Sequence, residues 1–236
     1  MGHFLPSELL DHICKPYQRA GKFAWHFARG KLDRDPVFAH ILQARYISHH
    51  ARVLDIGCGQ GLLAALLCGV DNYACAYPEH KAEFKAVSIT GIELMHNDVM
   101  RAQQALQDFG PRIRIVQGDM RQTDFGVADV VVILDVLHYV PYNEQNDILK
   151  RVYACLSSGG SLLLRVGDAA AGLPFLFSTW VDAVVFALRG HTSVRVYCRS
   201  LAEWKDQLEN IGFKVTDIPM HQGTPFANIL LHCRRP

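Results

Sequence analysis

Residues 53–61 read VLDIGCGQG, and this stretch decides how the rest of the chain is interpreted. Val53, Leu54 and Ile56 favour a β-strand. The run then breaks into glycines at alternate positions, Gly57, Gly59 and Gly61, and an apolar helical run, LLAALLC, follows. Strand, tight turn and helix in that order form the opening unit of a doubly wound α/β sheet. Glycine tolerates positive φ and lets a ligand approach the backbone, so a ligand is expected across the turn; a glycine turn without a ligand is the alternative that the loop alone leaves open. A phosphate-binding dinucleotide loop has the spacing G-x-G-x-x-G and favours an anion at the helix N-terminus. Here the spacing is G-x-G-x-G, and Asp55 stands two residues before the first glycine. Its carboxylate would repel a pyrophosphate and attract an ammonium or a sulfonium.

The chain has 236 residues and 26.5 kDa, which suits one large α/β domain or one domain with an appended subdomain. A formal net charge of +1, from 24 basic and 23 acidic residues, gives no electrostatic footprint for nucleic acid and favours a small-molecule or carrier-bound partner. The seven cysteines are scattered without a C-x-x-C pair, so reduced thiols in a cytoplasmic protein are expected rather than disulfides or zinc. The twelve histidines are also dispersed; His49 and His50 are adjacent, so their side chains diverge and no metal site is expected. No charged segment followed by an apolar core opens the chain, so no signal peptide is expected. The apolar stretch 169–188 contains Pro174 and Asp182 and is read as a buried or lid helix, not a membrane span.

The remaining elements follow from hydrophobic periodicity. Residues 87–92 form a second strand ending at Glu93, where doubly wound folds grip a ribose; capping the next helix is that residue's alternative role. A helix with Val99, Ala102, Leu106 and Phe109 on one face stops at Gly110-Pro111, and RIRIVQ is a third strand leading to Gly118-Asp119-Met120. ADVVVILD is almost continuously apolar, as a central parallel strand should be, and it delivers Asp135, His138, Tyr139 and Pro141 to the carboxyl edge of the sheet. Ile148, Leu149, Val152 and Leu156 share a helix face, Gly159-Gly160 turns the chain, and SLLLRV is strand five. Ser200 and Glu203 form a capping box for a helix burying Leu201, Trp204, Leu208 and Ile211 and ending at Gly212. KVTDI and ANILLHC close the sheet as an antiparallel hairpin. Residues 7–32 read as an aromatic-rich helical arm with Tyr17, Phe23, Trp25 and Phe27, and Asp35-Pro36 starts a short helix through Tyr46. Residues 69–86 show no clear period and read as a long link to the second strand.

This order, with VLDIGCGQG, GIELM, Gly118-Asp119-Met120 and ILDVLHYV, resembles the class I S-adenosylmethionine-dependent methyltransferases. More loosely, ARGKL, GIELM, ILDVLHYV and the insert after strand five resemble the stand-alone methyltransferases of aryl-polyene pigment clusters. The resemblance implies a doubly wound, Rossmann-like, seven-stranded and mostly parallel sheet with an antiparallel last strand. It further implies a helical arm over residues 1–50 and a methyltransferase domain over 51–236 with a lid insertion at 168–199. S-adenosyl-L-methionine is the implied cofactor, held by Asp55, Gly57, Cys58, Gly59, Gly61, Glu93, Leu94 and Asp135. Asp119 is implied to accept from the adenine amino group, although it is also a good turn cap, and Met120 to pack on the ring. Arg29 is a candidate for the methionine carboxylate or, equally, a solvated residue of a packing helix. The acceptor is expected to be aromatic or apolar, small or held on an acyl carrier, and to meet Tyr17, Tyr139, Tyr142, Phe177 and Trp180. His138 is the candidate general base, with a packing role as its alternative. The protein is expected to be a monomer or a homodimer. A nicotinamide oxidoreductase and a non-catalytic binding protein of the same fold are the rival classes.

Overall fold

The computed structural model describes residues 5–76, 87–167, 196–220 and 228–236. Seven strands, β1 (Arg52–Ile56), β2 (Ser88–Glu93), β3 (Ile113–Gln117), β4 (Ala128–Leu134), β5 (Leu156–Gly167), β6 (Lys214–Pro219) and β7 (Asn228–Arg234), hydrogen-bond in the order β3-β2-β1-β4-β5-β7-β6. β1 and β3 pair with β2 in parallel, and β7 runs antiparallel to both β5 and β6. The expected doubly wound seven-stranded sheet is therefore present. The chain falls into two compact units, residues 1–132 and 133–236.

In the first unit, every residue of β1 after Arg52 is buried, Asp55 included. The helix that follows, α4 (Leu62–Ala76), is buried on all sides from Leu62 to Cys68, which explains why its sequence lacks a polar face. It corrects the reading of 69–86 as a loop: the helix continues through 76, and 77–86 lie outside the described residues. The N-terminal arm is not one helix. It comprises α1 (Ser7–Cys14), a 3-10 segment (Lys15–Ala20), α2 (Lys22–Arg34) and α3 (Pro36–Gln43). Gly21, at φ +101, breaks the arm, and Asp35 caps α3 by accepting the Val37 N–H at 3.2 Å, with Pro36 at the first helical position. The last helix stops at Gln43, short of Tyr46. Gly69 lets α1 lie close on α4, because a Cβ there would stand 2.8 Å from Ile13 Cγ1. α5 (His96–Leu106) buries Val99, Ala102 and Leu106 as expected, while Phe109 lies in the 3-10 segment that follows.

In the second unit, α6 (Tyr142–Cys155) and α7 (Leu201–Ile211) flank the antiparallel strands. Ser200 and Glu203 make the expected reciprocal capping box on α7, Trp204 and Leu208 are buried, and Gly212 ends the helix at φ +117. β5 begins at Leu156, so Gly159-Gly160 lies within the strand rather than in a turn. The Gly159 N–H donates to the Arg235 carbonyl at 3.1 Å, and the Arg235 N–H donates to the Gly160 carbonyl at 2.9 Å. Most of the expected lid, with Phe175, Phe177 and Trp180, lies outside the described residues. Among the described residues no helix is long and apolar enough to cross a membrane, and no group of His, Cys, Asp and Glu is arranged to hold a metal. All seven cysteines are free thiols.

The glycines of the loop after β1 are not equivalent. A Cβ on Gly61 would lie 2.6 Å from Leu106 Cδ1 and 3.4 Å from Ala102 Cβ, whereas one on Gly59 would meet nothing within 4 Å. Gly61→Ala should therefore cost roughly 1–3 kcal/mol of stability in urea unfolding, and more than Gly59→Ala. Equal losses would mean that both glycines are needed only for their positive φ.

Candidate active site

Four amides of the loop after β1 are bonded to protein. The N–H groups of Gly57 and Cys58 both donate to the Ile92 carbonyl, at 2.8 and 3.1 Å, and that of Gly61 donates to the Cys58 carbonyl at 2.9 Å. The Gly59 N–H donates to Glu93 Oε2 at 2.8 Å, and Glu93 Oε1 accepts the Met95 N–H at 2.8 Å. Glu93 thus ties the loop to the backbone leading into α5 without capping that helix, whose N-cap is Met95, and each carboxylate oxygen keeps lone-pair capacity for a further donor. Gly57, Gly59 and Gly61 all have positive φ, the conformation that glycine was expected to supply.

Asp55 stands beside this carboxylate with 4% exposure. Burial, reinforced by the neighbouring Glu93 charge, pushes its carboxyl up from 3.8 to about 7. Cys58 is buried, its thiol is pushed up by that burial, and its Sγ packs where a side chain on Gly91 would have to go, 2.7 Å from that Cβ position. Gly91 is a requirement that sequence reading missed: it lets the loop lie down on β2. Leu94 is 57% exposed immediately after Glu93, as a residue packing on a ligand would be.

The arm meets this loop through Tyr17, which is fully buried and donates its hydroxyl to the Gln60 carbonyl at 2.9 Å. Its phenol is engaged in holding the loop. Gln60 Nε2 in turn donates to buried Asp98 at 3.3 Å. Arg29 is paired with Asp11 and lies 5.9 Å from the Trp25 ring centroid. Asp119 accepts the Arg121 N–H at 2.9 Å and the Arg121 guanidinium on both oxygens, and this bonding holds its carboxyl below the usual range. It is therefore the turn cap that its sequence also allowed; the half-buried Met120 follows it.

In the second unit the chain after β4 is bent sharply. Asp135 has φ +58, and its carboxylate accepts Arg165 Nε at 2.8 Å and a second guanidinium N–H of the same residue. Arg165 is buried at 2% exposure; an arginine inside SLLLRV was the sequence signal for this pair, and it went unused. A 3-10 turn, Leu137–Tyr139, then presents His138, whose ring packs 4.1 Å from that of Tyr139. Burial lowers the His138 pKa below its ordinary 6.5, opposed in part by Asp135, so the imidazole is neutral near pH 7 and able to accept a proton. The Tyr142 hydroxyl donates to the Cys198 carbonyl at 2.9 Å, while its ring is 45% exposed.

A sheet of this strand order, with a carboxylate-lined glycine loop after its first strand, defines an α/β enzyme of the S-adenosylmethionine-dependent methyltransferase class. The model of a family described as a methyltransferase domain matches residues 24–218, and the chain belongs to that family. A carboxy-S-adenosyl-L-methionine synthase of Chromohalobacter salexigens is 30% identical over 126 residues, covering 52% of this chain and 43% of its own length. One from Psychrobacter arcticus is 27% identical over 116 residues, covering 48% and 40%. The chain thus spans less than half the length of these two curated relatives. Among solved structures, magnesium protoporphyrin IX methyltransferase of Synechocystis with bound S-adenosylhomocysteine has a TM-score of 0.59 at 19% identity, covering 94% of each chain. An O-methyltransferase family 2 protein of Planctomyces limnophilus, in complex with apigenin, has a TM-score of 0.62 at 16% identity, covering 98% of this chain and 65% of that one. At these identities the likeness is one of fold.

The raised pKa of Asp55 has a definite sign in stability. The folded protein holds the Asp55 proton more tightly than the unfolded chain, so this contribution is complete below the ordinary value and is lost as pH rises. Melting of the ligand-free protein should show stability falling from pH 3.8 to about 7 and levelling above, and Asp55→Asn should flatten that interval. An unchanged slope in the variant would assign the effect to other groups.

Proposed function

We propose that the chain transfers the methyl group of S-adenosyl-L-methionine to an aromatic or apolar acceptor, small or held on an acyl carrier. The observation that carries the cofactor reading is the loop after β1. Four of its N–H groups are already bonded to protein, and what it offers instead is the carboxylates of Asp55 and Glu93 beside an open space over Gly59. Such a surface accepts hydroxyls and an ammonium and disfavours a pyrophosphate, which argues against a nicotinamide cofactor. Glu93 would hold the ribose hydroxyls, Asp55 would sit near the positive charge, Leu94 and Met120 would pack on the base, and Asp119 would need to turn from Arg121 to meet the adenine amino group. The cofactor supplies an electrophilic methyl group; the protein aligns the acceptor and excludes water. In the second unit, neutral His138 takes the proton of a hydroxylated acceptor, with Tyr139 and Tyr142 orienting it and the Asp135–Arg165 pair fixing the start of the loop. Near-neutral net charge supports an uncharged acceptor over nucleic acid.

A second reading has one specific support, the name shared by the curated relatives: the cofactor's methyl carbon would lose a proton and bond the carboxyl carbon given up by a decarboxylating donor, forming carboxy-S-adenosyl-L-methionine. Mass spectrometry of the cofactor after incubation with cell extract separates the two, since only this reading yields a product heavier by a carboxyl group.

Calorimetry should find binding of S-adenosylmethionine and S-adenosylhomocysteine and none of NAD. Affinity for the methionine-derived pair should rise with pH through about 7, as Asp55 ionises beside their positive charge. Glu93→Ala should weaken binding by about 1.5–3 kcal/mol for each charged hydrogen bond lost; an effect within error would move the ribose to another residue. A screen of phenols, aromatic acids, acyl thioesters and amines with labelled cofactor identifies the acceptor. With a hydroxylated acceptor, His138→Ala should lower turnover about 10²–10⁴-fold without changing cofactor affinity. Transfer to amines alone, at wild-type rate in that variant, would remove both the acceptor class and the base.

A further inference from the structure

Gln145 is buried to zero exposure on α6, although YNEQNDILKR marks it only as one polar residue among several. Its amide faces backbone. Nε2 donates toward the carbonyls of Leu137 at 3.2 Å, Val140 at 2.9 Å and Tyr197 at 2.8 Å. An amide nitrogen carries two hydrogens, so two of the three carbonyls share one of them. These two carbonyls bracket His138 in the chain, and the carbonyl of His138 itself accepts the Tyr197 N–H at 2.8 Å. On its other side, Gln145 Oε1 accepts Arg199 Nε at 3.0 Å, and the Arg199 guanidinium lies 4.7 Å from the Tyr142 ring centroid. One side chain therefore joins the 137–140 loop to the segment entering α7.

The loop needs such an anchor. A single 3-10 turn has poor hydrogen-bond geometry and no cooperative helix to support it, so its shape must be imposed from outside. We propose that Gln145 is the positioning residue of His138, fixing the backbone on both sides of the imidazole without touching the acceptor. The proposal rests on the reading of His138 as the base. Glutamine suits the task because it offers donors and an acceptor on one planar group; glutamate would set oxygens against three carbonyls, and methionine, of similar shape, would withdraw the shared side-chain donor from all three.

Nitrogen NMR of the histidine side chains across pH tests the proposal without needing an acceptor, the His138 signal being assigned by its loss in His138→Ala. In the wild type His138 titrates below its ordinary value, because of burial. In Gln145→Met the released loop should hydrate the ring and move its midpoint up towards that value, while S-adenosylhomocysteine affinity stays as in the wild type. A folded Gln145→Met protein whose His138 titrates as in the wild type would overturn the proposal. If that variant does not fold, Arg199→Lys, which loses the Nε donor to Gln145, should shift the midpoint in the same direction by less; no shift there would overturn it equally. With a hydroxylated acceptor in hand, Gln145→Met should lower kcat at unchanged cofactor KM, and should lower it no further in a His138→Ala background. Full activity of His138→Ala would instead remove the base reading alone, since the titration measures the loop and not the reaction.

Discussion

The hydrogen bond from the Gly59 N–H to Glu93, with the bond from the Met95 N–H to the other oxygen of that carboxylate, is the constraint from which the cofactor side of the site follows. It closes the loop after β1 onto the end of β2, in concert with the two amides that donate to the Ile92 carbonyl. A glycine loop that directs its N–H groups outward presents a positive surface, and phosphate is its natural guest. This loop directs them inward, so the surface left is one of acceptors. Two loops of nearly the same sequence thus serve ligands of opposite charge, and the direction of a few amides decides between them. The open face of Gly59 and the crowded face of Gly61 divide the work, one leaving room for a ligand and the other admitting Leu106.

Burial of the Asp55 carboxylate, reinforced by the neighbouring Glu93 charge, opposes folding with Asp55 ionised, and the upward shift of Asp55 reflects it. A cation placed between the two carboxylates reverses the balance by favouring the ionised form. On the proposed reading of Asp55 and Glu93, the unfavourable electrostatics of the ligand-free loop is binding energy held in reserve for a cation, and it discriminates against anionic ligands by the same means. Tyr17 adds a mechanical element, because its hydroxyl ties the N-terminal arm to the Gln60 carbonyl within the loop. The arm is then part of the frame that shapes the loop.

The fold was legible because its signals are local and periodic. Buried strands such as ADVVVIL read as apolar runs, and the Ser200–Glu203 capping box and Gly212 mark both ends of α7 in sequence. Errors arose where one signal has two structural uses. Gly159-Gly160 is a turn dipeptide by composition, but its backbone bonds to Arg235 and extends β5. The end of α4 lost its apolar pattern before it lost its helix, so a period-based reading stopped too early. At the site, Glu93 was identifiable because a strand ends on it. Gly91 and Arg165 were not, because their partners lie far away in sequence, and Gln145 was not, because its Nε2 partners are carbonyls that every residue carries.

That difference bears on how the loop after β4 is built. Asp135 adopts φ +58, a conformation that is unfavourable for a non-glycine residue and persists only where surrounding contacts over-determine it. Here the contacts come from two directions: Arg165 on β5 grips the Asp135 carboxylate, and Gln145 on α6 grips the backbone just beyond it, at Leu137 and Val140. A half-buried ion pair of this kind adds little net stability when the desolvation of its buried arginine is counted. What it supplies is direction, since a guanidinium that bonds both carboxylate oxygens allows the carboxylate one orientation. The strained residue and its two fixings together leave the 137–140 backbone a single course, and the imidazole of His138 is the group whose placement that course determines.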